Sequence, residues 1–174
     1  MITFIAKLFV AMNSNSRPSE LASGIAFGFW LALIPGGNLL WTALFIIAFL
    51  LKHNLAALLF STGLFKLLIP LVDPLLDSFG GWILQMSALQ DFFTNLYNIP
   101  LLPYSNFNNT IVMGGFITGI LCWIPVYFIF LSLVKIYRKK VAPRFAENKI
   151  VTALKKVPII SKISKAARKL SKFA

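Results

Sequence analysis

The fold class this sequence predicts is an all-α integral membrane protein. It would consist of a re-entrant or broken helical hairpin, two membrane-crossing helices and interfacial amphipathic helices. Three observations predict it. Hydrophobic residues make up 58% of the 174 residues and charged residues only 13%, with 17 Phe; a soluble core of this size cannot hide so much apolar surface. Residues 21–51 hold two apolar runs, 21–34 and 39–51, around Pro35-Gly36-Gly37-Asn38. The net charge of +12 is lopsided, with 13 of the 17 Lys and Arg from Lys135 onward and none between Lys66 and Lys135.

One domain is expected at this length, in five segments. These are an N-terminal cytoplasmic interfacial segment (1–20), a membrane unit with the broken hairpin (21–84), a periplasmic connector (85–109), a transmembrane helix (110–137) and a basic cytoplasmic amphipathic tail (138–174). Residues 1–12 are apolar apart from Lys7 and read as a short interfacial helix. They do not read as a signal peptide, because the charge falls mid-run and no small-residue cleavage site follows. Ser19 is the expected N-cap of the first apolar run.

Each run of the broken stretch is about 20 Å long as helix, against a hydrocarbon core about 30 Å thick. Pro35 removes a donor and disfavours helix at Ile34, and the glycines let the chain turn. The runs form either a hairpin that enters and leaves one leaflet or a single tilted, broken span. Asn38 suits the N-cap of the second run. Gly36, Gly37 and Asn38 would then present donors at a positive helix end, a geometry that holds anions such as a lipid phosphate; the alternative is a turn satisfied from within.

Lys52-His53-Asn54 interrupts the apolar pattern, and His53, the single histidine, reads as ordinary interface chemistry. Residues 55–72 are long enough to cross with tilt, with Pro70 as a source of a kink. Lys66, Asp73 and Asp77 fall within about 40° on one ideal helix face, and intramembrane ionisable residues usually mark function; the alternative places both aspartates at the far interface with Lys66 snorkelling. Gly80-Gly81 is expected to break the chain. Trp82, Met86, Leu89, Phe93 and Leu96 then space as one amphipathic helix over 82–97. Residues 99–104 read as extended, and 106–109 as a polar turn. Residues 110–134 are the clearest span, with Pro125 inside and a Gly115-x-x-x-Gly119 packing surface. Gly24-x-x-x-Gly28 before Ile34-Pro35 echoes Gly115-x-x-x-Gly119 before Ile124-Pro125, a hint of transporter-like repeats. In the tail, Pro143 and Pro158 separate short basic helices attracted to anionic lipid head groups.

Topology follows from charge. The positive-inside rule keeps the tail in the cytoplasm and the connector, which lacks Lys and Arg, outside. Residues 110–134 join the two, so 55–84 must cross outward and Lys52 lies inside. With Lys7 and Arg17 also inside, 21–51 must enter and leave on one side. Two short helices that each cross fully would satisfy the same count.

Residues 17–84 resemble the bacterial membrane family catalogued as domain of unknown function 2062. The resemblance is carried by RPSELASGIAFGFWLALIPGGNLLWTALFIIAFLLKHNLAALLFSTG: Pro18, the Gly24/Gly28 pair, Pro35-Gly36, the aliphatic run and Asn54 followed by small residues. Gly80 fits the glycine that closes the domain. Where many members carry Asn-Pro after the glycine matching Gly63, this chain has Lys66 and later Asp73-Pro74, which looks like a divergent branch. The resemblance implies a bacterial inner-membrane location and an envelope partner, and it supplies no chemistry.

The functional expectation is a non-enzymatic inner-membrane protein, multi-pass with both termini cytoplasmic, that handles or senses phospholipid with an envelope partner protein. Gly36, Gly37, Asn38, Lys66 and Asp73 are the lipid- or anion-binding candidates, and Gly24, Gly28, Gly115 and Gly119 the helix-packing positions. The alternatives are a membrane anchor or assembly subunit docking through 82–109, a small transporter-like protein, or an enzyme, for which Asp73 and Asp77 are the sole i, i+4 carboxylate pair. No catalytic residue, cofactor or metal ligand is expected; the lone Cys122 excludes an internal disulfide and a cysteine cluster. Nucleic acid is not an expected partner, since the basic tail joins no zinc spacing or aromatic RNA-binding motif.

Overall fold

The structure is a computed structural model and describes residues 16–141. The expected interfacial helix at 1–12 and the tail from 142 on, with its lipid-attracting helices, lie outside the described residues. Within them the chain is all helical, with no strand: α1 (Pro18–Leu33), α2 (Leu39–Leu50), α3 (Leu55–Lys66), α4 (Ile69–Leu84), α5 (Gln90–Tyr97) and α6 (Thr110–Ile136). Two short 3-10 turns, Ser87–Leu89 and Leu102–Ser105, sit on either side of α5.

Helix starts follow local chemistry. Asn38, Asn54 and Asn109 cap α2, α3 and α6, their side-chain oxygens accepting from Trp41 N (2.8 Å), Ala57 N (2.8 Å) and Val112 N (3.1 Å). Helix α1 begins two residues earlier than Ser19 would set it. Arg17 is the N-cap, Pro18 takes the first turn where a missing N–H costs nothing, and the Glu20 carboxylate accepts from Arg17 N at 3.2 Å.

The chain reverses at residues 34–38. Asn54 N donates to Glu20 O at 3.0 Å, so the end of the α2 return meets the start of α1. Helices α1 and α3 therefore run parallel, side by side, with α2 as the return stroke. Gly24 and Gly28 make their approach possible: a Cβ at Gly24 would stand 2.6 Å from Asn54 O, and one at Gly28 2.6 Å from Leu58 O. Helix α6 runs antiparallel to α1. Its Gly115 backs onto Leu33, Gly119 takes the Trp30 ring, and Trp30 Nε1 donates to Phe116 O at 3.2 Å. Leu21, Ala57 and Val134 form one cluster, which places the Lys135 end of α6 beside the starts of α1 and α3.

Between α3 and α4 the chain bends by 82°. The cause lies downstream of the bend. Pro70 has no N–H to give the Lys66 carbonyl, and its ring clashes with that carbonyl, so α3 stops at Lys66 and Pro70 opens α4 instead. The expected single crossing over 55–84 is thus two helices at a sharp angle. Gly80 and Gly81 do not break the chain; they lie inside α4, where the missing side chains let the α6 backbone at Thr110 and Gly114 approach. The expected helix over 82–97 is divided as well, because Trp82 belongs to α4 and Met86 is extended before α5. Residues 99–104 are compact rather than extended, with Leu101 left-handed (φ 74°) at the entry to the 3-10 turn. Pro125 sits within an unbroken α6 of 27 residues, so the two Gly-Pro segments are not equivalent broken helices.

Among the described residues one helix, α6, is long and apolar enough to cross a membrane; α3 and α4 reach that standard only as a bent pair. Large apolar side chains cover the exterior, among them Phe49, Leu50, Leu59, Leu71, Leu75, Leu121 and Phe128, with Leu71 79% exposed. Exposed apolar side chains in such number are compatible with cover by a membrane or a partner.

Candidate functional site

The reversal at 34–38 leaves the last carbonyls of α1 without helical partners. Two side chains from elsewhere satisfy them, through three hydrogen bonds. Trp41 Nε1 donates to Leu31 O at 3.0 Å, and Lys66 Nζ donates to Ala32 O at 3.0 Å and to Ile34 O at 2.9 Å. Within the turn, Asn38 Nδ2 donates to Pro35 O at 2.7 Å and Thr42 Oγ1 to Asn38 O at 3.0 Å. The Lys66 ammonium sits at the negative end of α1, where a helix favours a cation.

Beside this cap lies a cavity of about 270 Å³ lined by Pro35, Gly36, Lys66, Ile69, Pro70 and Asp73. The 82° bend creates it by folding the first turn of α4 back toward the hairpin turn. Gly36, Lys66 and Asp73, three of the five ligand candidates, meet there. Asn38 does not join them as a free donor. It is 5% exposed, and its side chain is spent on Trp41 N and Pro35 O. Gly37 is exposed at φ 89°, a conformation that favours glycine.

The bend takes Lys66 off the helix face that Asp73 and Asp77 share on α4. The Asp77 carboxylate accepts from Thr110 Oγ1 and ties α4 to α6. Asp73 and Asp77 stay one turn apart on α4, with Asp77 committed to Thr110. Among the described residues, no group of three His, Cys, Asp or Glu could hold a metal ion.

Sequence reasoning missed Trp41 as a partner of the α1 terminus, because an indole in an apolar run carries no sign of what it bonds. It also missed a second cavity, of about 330 Å³, where Phe93, Tyr97 and Asn98 of the connector face Leu84 and Phe107. At the opposite end, His53 stacks on Phe27 (centroids 5.3 Å apart), which in turn meets Trp123 edge-on (5.4 Å). Burial lowers the His53 pKa below its ordinary value, and its Nε2 is buried without a hydrogen bond.

The architecture is that of a small, glycine-packed helical protein with an apolar exterior and a polar reversal at one end. The chain belongs to the family described as an uncharacterized protein conserved in bacteria (DUF2062), whose match covers residues 3–142 and so includes all six helices. It is 35% identical over 159 residues to an uncharacterized protein of Treponema pallidum (strain Nichols), across 91% of this chain and 98% of that one. No solved structure matches it.

Proposed function

We propose that this is a non-enzymatic, multi-pass protein of the bacterial inner membrane that holds phospholipid head groups at the hairpin turn, acting with an envelope partner. The observation that carries the reading is the cavity of Pro35, Gly36, Lys66 and Asp73, a recess with a cation and a carboxylate close to exposed apolar side chains such as Leu67, Leu68 and Leu71. A cation and a carboxylate among lipid-facing side chains are expensive to keep. Lys66 has three donors and uses two on α1, which leaves one for a phosphate oxygen.

Topology supports the same reading. The Lys135 end of α6 and residues 52–54 share one end of the structure, as a cytoplasmic face requires. Helix α3 has 12 residues, so Lys66 sits about 18 Å along it from that face. In a core about 30 Å thick, this is past the mid-plane and short of the far surface. A head group reaching Lys66 would be drawn into the bilayer, which suits a protein that handles lipid rather than one that merely rests in it.

The test is purification in mild detergent followed by phosphorus analysis and mass spectrometry of bound lipid. Retained phospholipid that falls on changing Lys66 supports the reading; a lipid-free, mutation-insensitive protein refutes it. For topology, Gly36→Cys and Lys52→Cys in a Cys122→Ser background are labelled with a membrane-impermeant maleimide in spheroplasts. Lys52→Cys should react only after the membrane is opened.

A second reading, an anchor for a larger envelope complex, rests on the connector. Phe92, Tyr97, Leu101 and Tyr104 are all exposed there, Tyr104 at 72%. Photocrosslinking from Tyr104 that captures one defined protein would favour it.

A further inference from the structure

We infer that the cavity at the hairpin turn selects a zwitterionic phosphoethanolamine head group over an anionic or choline-bearing one. The inference rests on the phospholipid reading above and names the ligand class of that same site.

The argument is one of charge balance and donor count. The cavity brings together one cation, Lys66, and one carboxylate, Asp73, and no other charged residue lines it. The rest of its wall is Pro35, Gly36, Ile69 and Pro70, and neither proline has an N–H to offer an anion. Lys66 spends two of its three N–H donors on Ala32 O and Ile34 O, so a single donor remains for a phosphate. The half-buried Asp73 makes no hydrogen bond among the described residues. Asp77, one turn on, is already taken by Thr110. Asp73 faces the Lys66 charge without a hydrogen bond to it, so the site offers one positive donor and one negative acceptor with hydrogen-bonding capacity to spare, within about 270 Å³.

A head group with a phosphate alone satisfies Lys66 and is repelled by Asp73. A head group with a phosphate and a primary ammonium satisfies both, because the ammonium donates to the carboxylate while the phosphate accepts from Lys66. A quaternary ammonium carries the charge but has no N–H, so it forgoes the charge-assisted hydrogen bond. Gly36 leaves room for the ligand, since a Cβ there would meet nothing within 4 Å. One charge-assisted hydrogen bond contributes enough to shift affinity by about tenfold.

The experiment uses the full chain in detergent, titrated with phosphatidylethanolamine, phosphatidylglycerol and phosphatidylcholine of identical acyl chains and read by native mass spectrometry. Soluble glycerophosphoethanolamine serves as competitor, to separate head-group recognition from acyl-chain binding. Phosphatidylethanolamine should bind about tenfold more tightly than either other lipid, and glycerophosphoethanolamine should displace it. In Asp73→Asn that preference should vanish, with phosphatidylglycerol binding rising. Asp73→Asn suits the test because it is nearly isosteric and breaks no protein hydrogen bond; Lys66→Arg, which keeps the charge and donors, should retain the preference. Equal binding of all three lipids, or a preference that survives Asp73→Asn, overturns this inference and leaves the phospholipid reading standing. Binding of none overturns both.

Discussion

Replacing Lys66 by Met tests whether the hairpin turn is held by its capping cation. Met fills similar volume but withdraws the ammonium from Ala32 O and Ile34 O, now bonded at 3.0 and 2.9 Å. Hydrogen bonds with a charged partner contribute about 1.5–3 kcal/mol each, and a cation at a helix C-terminus about 0.3–1 kcal/mol more. Lys66 is exposed, so water entering the cavity will satisfy some of the abandoned carbonyls. The expected loss is therefore below the sum, about 2–4 kcal/mol. The assay is reversible unfolding in mixed micelles with increasing SDS, followed by tryptophan fluorescence, since Trp30 and Trp41 both bond near this end of α1. Hydrogen exchange across residues 32–38 should accelerate in parallel. Lys66→Arg keeps donors and charge and should recover most of the loss. If Lys66→Met unfolds within about 0.5 kcal/mol of the native protein, with unchanged exchange at 32–38, the ammonium is not what closes the turn.

Three further outcomes are expected. Gly28→Ala drives a Cβ against Leu58 O and Ser61, whereas Gly63→Ala meets nothing within 4 Å; the first should cost about 1–3 kcal/mol, and the second should be neutral or stabilising by up to about 1 kcal/mol, in the same micelle assay. Asn38→Ala removes the bonds to Trp41 N and Pro35 O and should cost about 1–2 kcal/mol; an unchanged unfolding midpoint would refute its role as a cap. His53 has its pKa lowered by burial from 6.5, so the unfolded chain takes up its proton first as pH falls. Its contribution is complete above about pH 6.5 and is lost as pH drops toward the folded value; His53→Phe, which keeps a ring against Phe27, should flatten that slope.

Much of the architecture was legible in the sequence because its signals act locally. Pro35-Gly36-Gly37 marks the reversal, Asn38 announces its cap, and the glycine pairs mark the close approaches. The bend was harder to place. Pro70 acts on the carbonyl four residues before it, so the break falls at 67–68, N-terminal to the proline that causes it. Gly80-Gly81 was misread because a missing Cβ permits a turn and a close helix contact equally, and only a partner such as Thr110 decides between them. The periodicity over 82–97 was genuine, but it joined the end of α4 to α5 across an extended Met86. Of the site, the residue types were legible and the partners were not. Wheel geometry assumed one straight helix through Lys66, Asp73 and Asp77, whereas the bend puts Lys66 on α3 and both aspartates on α4, where Asp73 lines the cavity and Asp77, one turn on, meets Thr110 of α6. The bonds from Trp41 and Lys66 to α1 depend on tertiary approach, for which the chain carries no local mark.

The parallel pairing of α1 with α3 also dictates an order of assembly during synthesis. When α1 leaves the ribosome, the groove along Gly24 and Gly28 has no occupant, since α2 must be made and laid back before α3 arrives to fill it. Its terminal carbonyls likewise wait for Lys66, the last residue of α3. The first helix therefore stays unsealed until the third emerges, and α6, the last of the six to be made, closes onto α1 through Gly115 and Gly119.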